Sequence, residues 1–179
     1  MSKATSDKAT LMLMSGELDK ALVAFEVATG FAAMGMDVNM WFVLYGVNCI
    51  KKPTGIFSLK KWISRQKPSA GRVPETDVFL QRMVKIVNHD GAEHLPLSQL
   101  NYLGLGPRIL NYILRKKGIP ELRKLIDNAV ELGVQFKICQ ICVDAFAIDI
   151  EQDLIVDAKV LGVSSYVMDA KAAHFNAVY

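Results

Sequence analysis

Cysteine is scarce in this chain, with three in 179 residues, at positions 49, 139 and 142. So small and odd a number excludes a disulfide framework as the source of stability and leaves reactive thiols or plain packing. Long apolar runs are missing as well. The most apolar uncharged stretch, Val38 to Ile50, is interrupted by Asn39 and Asn48 and falls short of the ~18–20 residues that span a bilayer. The amino terminus, MSKATSDKAT, lacks an apolar segment followed by a small-residue cleavage site, so no secretory signal is visible and a cytoplasmic location is expected. Acidic residues are absent between Asp37 and Glu75, where Lys51, Lys52, Lys60, Lys61, Arg65, Lys67 and Arg72 form a one-signed stretch. Such a stretch can steer an anion or an acidic partner protein. The net charge of +3 is modest, and the tract has no interleaved aromatic platform and belongs to no recognised module, so no nucleic-acid partner is expected.

What is present reads as a single globular domain: 51% of the residues are hydrophobic and 22% charged, enough for a substantial core. Residues 1–8 are expected to be a flexible terminus and 9–179 the domain, with a basic loop and short-helix insertion at about 51–76. Ala9–Met14 is an apolar run that stops at Ser15-Gly16 and predicts a strand. Glu17 to Met34, terminated at Gly35, predicts a helix, and Val38–Tyr45 a strand buried on both faces, with Gly46-Val47-Asn48 as its exit loop. Within FSLKKWISRQK, the residues Phe57, Leu59, Trp62 and Ile63 would line one side of a basic amphipathic helix. This is a candidate for oligomer packing or for peripheral membrane contact through 56–67.

Farther along, Thr76–Val87, Pro107–Lys116 and Glu121–Glu131 predict helices and His89–Leu95 a loop. Val134–Ile138 predicts a third strand, Gln152–Leu161 a helix closed by Gly162, and Ser164–Met168 a fourth strand. Gly104 and Gly106 in GLGPRIL hint at a phosphate turn, but no strand precedes them and the third glycine is missing, so helix entry is the better account. Strands alternating with helices predict an α/β fold: a three-layer α/β/α domain with a mainly parallel sheet.

The segment VQFKICQICVDAFAI carries the chemistry. It runs an apolar strand into Cys139 where a helix is expected to begin, and a helix N-terminus favours thiolate, the nucleophilic form. In a parallel sheet reactive groups gather at the carboxyl ends of the strands. Ser15, Asn48 and Cys139 each follow a predicted strand, so one rim would collect them. Ser15 and Asn48 are candidate hydrogen-bond partners for a sulfur anion, with capping and turn duties as the plainer account. Lys137 would share a strand face with Cys139, where its ammonium could favour the thiolate or simply be a solvated lysine. The spacing Cys139-Gln-Ile-Cys142 opens a rival, a dithiol redox pair with Cys142 as second thiol. A non-catalytic module for FMN or another phosphate lacks an intact phosphate loop, and zinc held by Cys139, Cys142, Cys49 and a histidine would need irregular spacing. His89, His94 and His174 show neither metal nor triad spacing, and Met12, Met14, Met34, Met36 and Met40 read as core filling.

Taken together, WFVLYGVN, LPLSQLNYLGLGPRIL, ELGVQFKICQICVDAFAI and DAKVLGVSSYVMDA resemble the DsrE/DsrF/DsrH-like family over Ala9 to Ala170. The likeness is strongest to the DsrE subgroup found beside TusA-like carriers and rhodaneses and sometimes labelled peroxiredoxin-like. The resemblance implies a small flavodoxin-like domain, a homo-oligomer, that takes sulfane sulfur on one cysteine and passes it to a TusA-like or rhodanese-like protein without a cofactor or metal. It assigns the sulfur-bearing role to Cys139 and the motif aspartate to Asp144. The chain departs from the subgroup pattern at Cys142, where serine is expected, at Ile141, Val143 and Ala147, and at Cys49, where an aliphatic residue is usual.

Overall fold

Alternating apolar side chains build the middle layer. The structure, a computed structural model, describes residues 7–52, 91–99, 104–146 and 148–179. Strands β1 (Lys8–Leu13), β2 (Asp37–Phe42), β3 (Gln135–Cys139), β4 (Lys159–Leu161) and β5 (Phe175–Val178) form one sheet in the order β4-β3-β2-β1-β5. Every pairing in it is parallel. The register sets Leu11 beside Met40 and Met40 beside Phe136, and Leu13 beside Phe42 and Phe42 beside Ile138. With a side-chain period of two, these residues share one face.

Helices α1 (Leu18–Ala33) and α3 (Leu122–Glu131) cover that face. The Phe25 ring of α1 lies 6.0 Å from Phe42 and 6.2 Å from Phe136. Leu122, Leu125, Ile126 and Ala129 of α3 are buried in the same core. Each fully buried large side chain here contributes about 1.5–3 kcal/mol. Helix α2 (Leu105–Lys116) has no buried residue and leans on the core through Leu110 and Leu114.

The opposite face carries Thr10, Trp41 and Lys137. Helix α6 (Val163–Ala172) crosses it: Tyr166 meets Trp41 edge-on at 5.6 Å and the Thr10 hydroxyl donates to the Asp169 carbonyl at 3.3 Å. With helices on both faces of a parallel sheet, the fold is α/β.

Several boundaries differ from the expectations. The second strand ends at Phe42, and a 3-10 helix (Leu44–Ile50) replaces the predicted exit loop. No helix spans Gln152–Leu161. A four-residue turn, α5 (Ile150–Asp153), is capped by Asp149, whose carboxylate accepts from the Glu151 and Gln152 N–H groups. The chain then extends, because its backbone is claimed elsewhere: Leu154 bridges Lys51, Ile155 N–H donates to Ile50 C=O at 2.9 Å, and β4 pairs with β3. With that edge taken, Ser164–Met168 is helical, inside α6, and Gly162 opens this helix instead of closing one. A fifth strand, β5, was not expected. It pairs with β1 at the other edge. The predicted helices within 56–67 and 76–87 lie outside the described residues. Among the described residues no helix is long and apolar enough to cross a membrane.

Candidate functional site

Three strand ends meet on one rim because β1, β2 and β3 are parallel neighbours. The turns leaving β1 and β2 interlock through their backbones: Val43 N–H donates to Leu13 C=O, and Gly46 N–H to Met14 C=O, each at 3.0 Å. Glycine is required at this contact. A Cβ at Gly46 would overlap the Leu13 carbonyl, and one at Gly16 would sit 2.8 Å from the Tyr45 carbonyl oxygen. Held on both sides, Leu44 adopts a φ of 50°, a left-handed conformation that a branched residue keeps only where its surroundings impose it.

That strained residue aims its N–H at a thiol. Leu44 N–H donates to Cys142 Sγ at 3.0 Å, and Cys142 follows Cys139 by three residues, one turn along. Cys139 is the last residue of β3 and is followed at once by α4 (Gln140–Phe146). It therefore stands at the N-cap and Cys142 at the third helical position, two places whose side chains face each other in a helix start. Both are nearly covered, at 5% and 1% exposure. Burial pushes the Cys142 thiol up from its ordinary range. The Leu44 N–H works against this shift, while the neighbouring Cys139 sulfur adds to it.

The remaining candidates fall around this pair. Ser15 lies in the turn after β1; its hydroxyl donates to Glu17 at 2.6 Å and its carbonyl accepts from the Cys49 thiol at 3.6 Å. Asn48 is buried in the 3-10 helix beside Cys49. Cys49 is fully buried, which pushes its thiol far above its ordinary value. Asp144 accepts from Gln140 Nε2 at 3.0 Å on α4. Lys137 shares a strand face with Cys139, and its ammonium reaches Asp169 at 2.6 Å. The same carboxylate oxygen accepts from Trp41 Nε1 at 2.9 Å.

The sequence reading gave no site role to the Leu44 N–H, to Asp169 or to the Tyr45–Phe146 ring pair. The Leu44 N–H is a backbone donor and leaves no residue signature, although Gly46 two places on marks the tight approach. Asp169 lay just beyond a segment read as strand. Tyr45 and Phe146, with ring centres 5.4 Å apart, join the 3-10 helix to α4, and Met14, Leu44, Tyr45 and Ile141 leave apolar surface on the turns that carry the thiols. Among the described residues no group of three or more His, Cys, Asp or Glu side chains is arranged to hold a metal ion.

Comparison with known proteins is consistent over nearly the whole chain. The sequence profile of the DsrE/DsrF/DrsH-like family matches residues 5–178. The uncharacterized protein YrkE of Bacillus subtilis (strain 168) is 28% identical over 169 residues, which span 94% of this chain and 94% of that protein. The ychN protein from E. coli, known from a crystal structure, shares the fold with a TM-score of 0.52 at 10% identity, covering 97% of this chain and 99% of that one.

Proposed function

The chain belongs to the DsrE/DsrF/DrsH-like family, a sulfur-relay family, and from that premise we propose that it is a sulfur carrier holding sulfane sulfur on Cys139 and yielding it to a protein thiol. The observation that carries the reading is the placement of Cys139. It ends β3 at the rim, at the start of α4, beside a second thiol that a backbone N–H holds in place.

The chemistry needs only sulfur exchange. The Cys139 thiolate attacks the outer sulfur of a donor persulfide; the donor S–S bond breaks and the donor leaves as a thiolate. With a thiosulfonate donor the leaving group is the sulfonyl fragment, released as sulfinate or, from thiosulfate, as sulfite. An acceptor thiolate then attacks the outer sulfur on Cys139, and Cys139 departs as a thiolate. Such exchange depends on thiolate fraction, access and leaving-group pKa. Cys142, held by the Leu44 N–H, sets a second sulfur one helical turn from Cys139.

A TusA-like acceptor, a rhodanese-like partner, a homo-oligomeric state and a cytoplasmic location belong to the same proposal. The exposed Met14, Leu44, Tyr45 and Ile141 suit docking of an acceptor protein, since apolar surface beside a reactive group commonly marks an interface. The test is mass spectrometry of the native protein after incubation with polysulfide, thiosulfate or tetrathionate. The wild type gains sulfur, and Cys139→Ser gains none while keeping its fold. A full adduct on Cys139→Ser would refute the assignment.

A further inference from the structure

Resting on Cys139 as the loaded residue, we propose that Cys142 is a resolving thiol, which discharges the Cys139 persulfide as hydrosulfide and leaves a Cys139–Cys142 disulfide for an external dithiol to reduce. The geometry of the pair carries this. An N-cap and a third helical residue bring their side chains together, and a disulfide accepts Cα separations of about 4.4–6.8 Å, a range that includes the pitch of one helical turn, about 5.4 Å. Both thiols are buried at this helix start, at 5% and 1% exposure. Leu44 N–H fixes the attacking sulfur, and Leu44 is itself fixed by the interlocked turns. The third thiol is no competitor, because Cys49 is fully buried and directs its S–H to the Ser15 carbonyl.

The step balances without a further reactant. Cys142 sulfur attacks the inner sulfur of the persulfide, Sγ of Cys139. The bond from that atom to the outer sulfur breaks, and the outer sulfur leaves as hydrosulfide, taking the proton from Cys142. The sulfane sulfur is reduced to sulfide while the two cysteines are oxidised to cystine. A dithiol then restores the pair by thiol–disulfide exchange and ends as a disulfide itself. An acceptor protein attacks the outer sulfur and Cys142 the inner, so the availability of the acceptor decides between transfer and discharge. Burial opposes ionisation of Cys142, which slows discharge and gives an acceptor time to compete.

The experiment loads the full-length protein with polysulfide, removes the excess and follows sulfide release without an acceptor. It then maps the thiols by tryptic digestion. Cys139 and Cys142 fall in one peptide, 138–159, and Cys49 in another, 21–51. The expected wild-type result is sulfide release matched by loss of the sulfur mass and of two hydrogens from peptide 138–159. Cys142→Ser, which keeps an acceptor for Leu44 N–H, should hold more sulfur on that peptide and release sulfide roughly tenfold more slowly or less, since intramolecular attack is lost. Sulfide release at the wild-type rate from Cys142→Ser, or wild-type release without a disulfide in peptide 138–159, would overturn the proposal while leaving the carrier reading intact. A sulfur adduct in neither protein would overturn the carrier reading and this proposal with it.

Discussion

Lys137 and Cys139 leave β3 on the same face, two residues apart, and meet opposite fates. In the middle of the strand Lys137 lies under α6, where Asp169 takes its ammonium at 2.6 Å and also accepts from Trp41. At the carboxyl end Cys139 runs directly into α4, whose Cys142 takes the Leu44 N–H from the turn after β2. The difference shows that position along a parallel strand, more than residue type, decides whether a polar group is absorbed by the fold or left available for chemistry. Depth of burial does not separate the two, since Lys137 is 8% and Cys139 5% exposed. Their neighbours do.

The comparison breaks most visibly at Asp169. Replacing it with alanine leaves the Lys137 ammonium covered without its carboxylate and Trp41 without its acceptor, and removing one partner of a buried pair costs about 3–5 kcal/mol. Because Asp169 keeps 23% exposure, the lower end is expected for Asp169→Ala, read as a fall in urea midpoint and a change in tryptophan fluorescence. Folded Asp169→Ala should load sulfur as the wild type does. A loss of loading at unchanged stability would show that the two regions are one.

A smaller effect is expected at the rim. Gly46→Ala forces a methyl group against the Leu13 carbonyl, an overpacking that costs about 1–3 kcal/mol, and it displaces the Leu44 N–H from Cys142. Sulfide release from the loaded protein should slow together with the drop in thermal midpoint. Unchanged release would mean that the Leu44 donor does not position Cys142.

The arrangement of the first half of the chain was legible because its signals are local. Apolar runs and glycine stops mark β1, α1 and β2, and Val134–Ile138 lands within one residue of β3. The stretch from Gln152 to Met168 was misread because long-range pairing decides it. Leu154, Val160 and Leu161 fit a helical period, yet Lys51 and β3 draw their backbone out, and the strand-like SSYVM is left to coil over the sheet. At the site, Cys139 could be singled out by its strand-to-helix position. The Leu44 donor could not, since every residue has a backbone N–H and only tertiary contacts select this one.

The smallest effect at neutral pH belongs to Cys49, the thiol that the fold buries beside the rim. Burial raises its pKa far above the ordinary 9.0, so above about pH 9 the unfolded chain releases a proton that the folded chain retains. Stability conferred by the neutral thiol is therefore full below that pH and lost above it, at about 1.4 kcal/mol per pH unit. Cys142 is shifted in the same direction and adds to the slope. Cys49→Ala should cost about 1 kcal/mol at pH 7 and show a shallower decline in urea midpoint between pH 9 and 10 than the wild type. Parallel declines would mean that Cys49 ionises within the folded protein.

The central claim, that the carboxyl end of β3 is the reactive region, is tested most directly by locating the added sulfur. Wild-type protein is treated briefly with polysulfide, its persulfides are trapped by alkylation before discharge, and the tryptic peptides are fragmented. The account predicts the extra sulfur in peptide 138–159, on Cys139, with Cys49 in peptide 21–51 unmodified. Sulfur on Cys49, or on Cys142 with Cys139 unmodified, would contradict it.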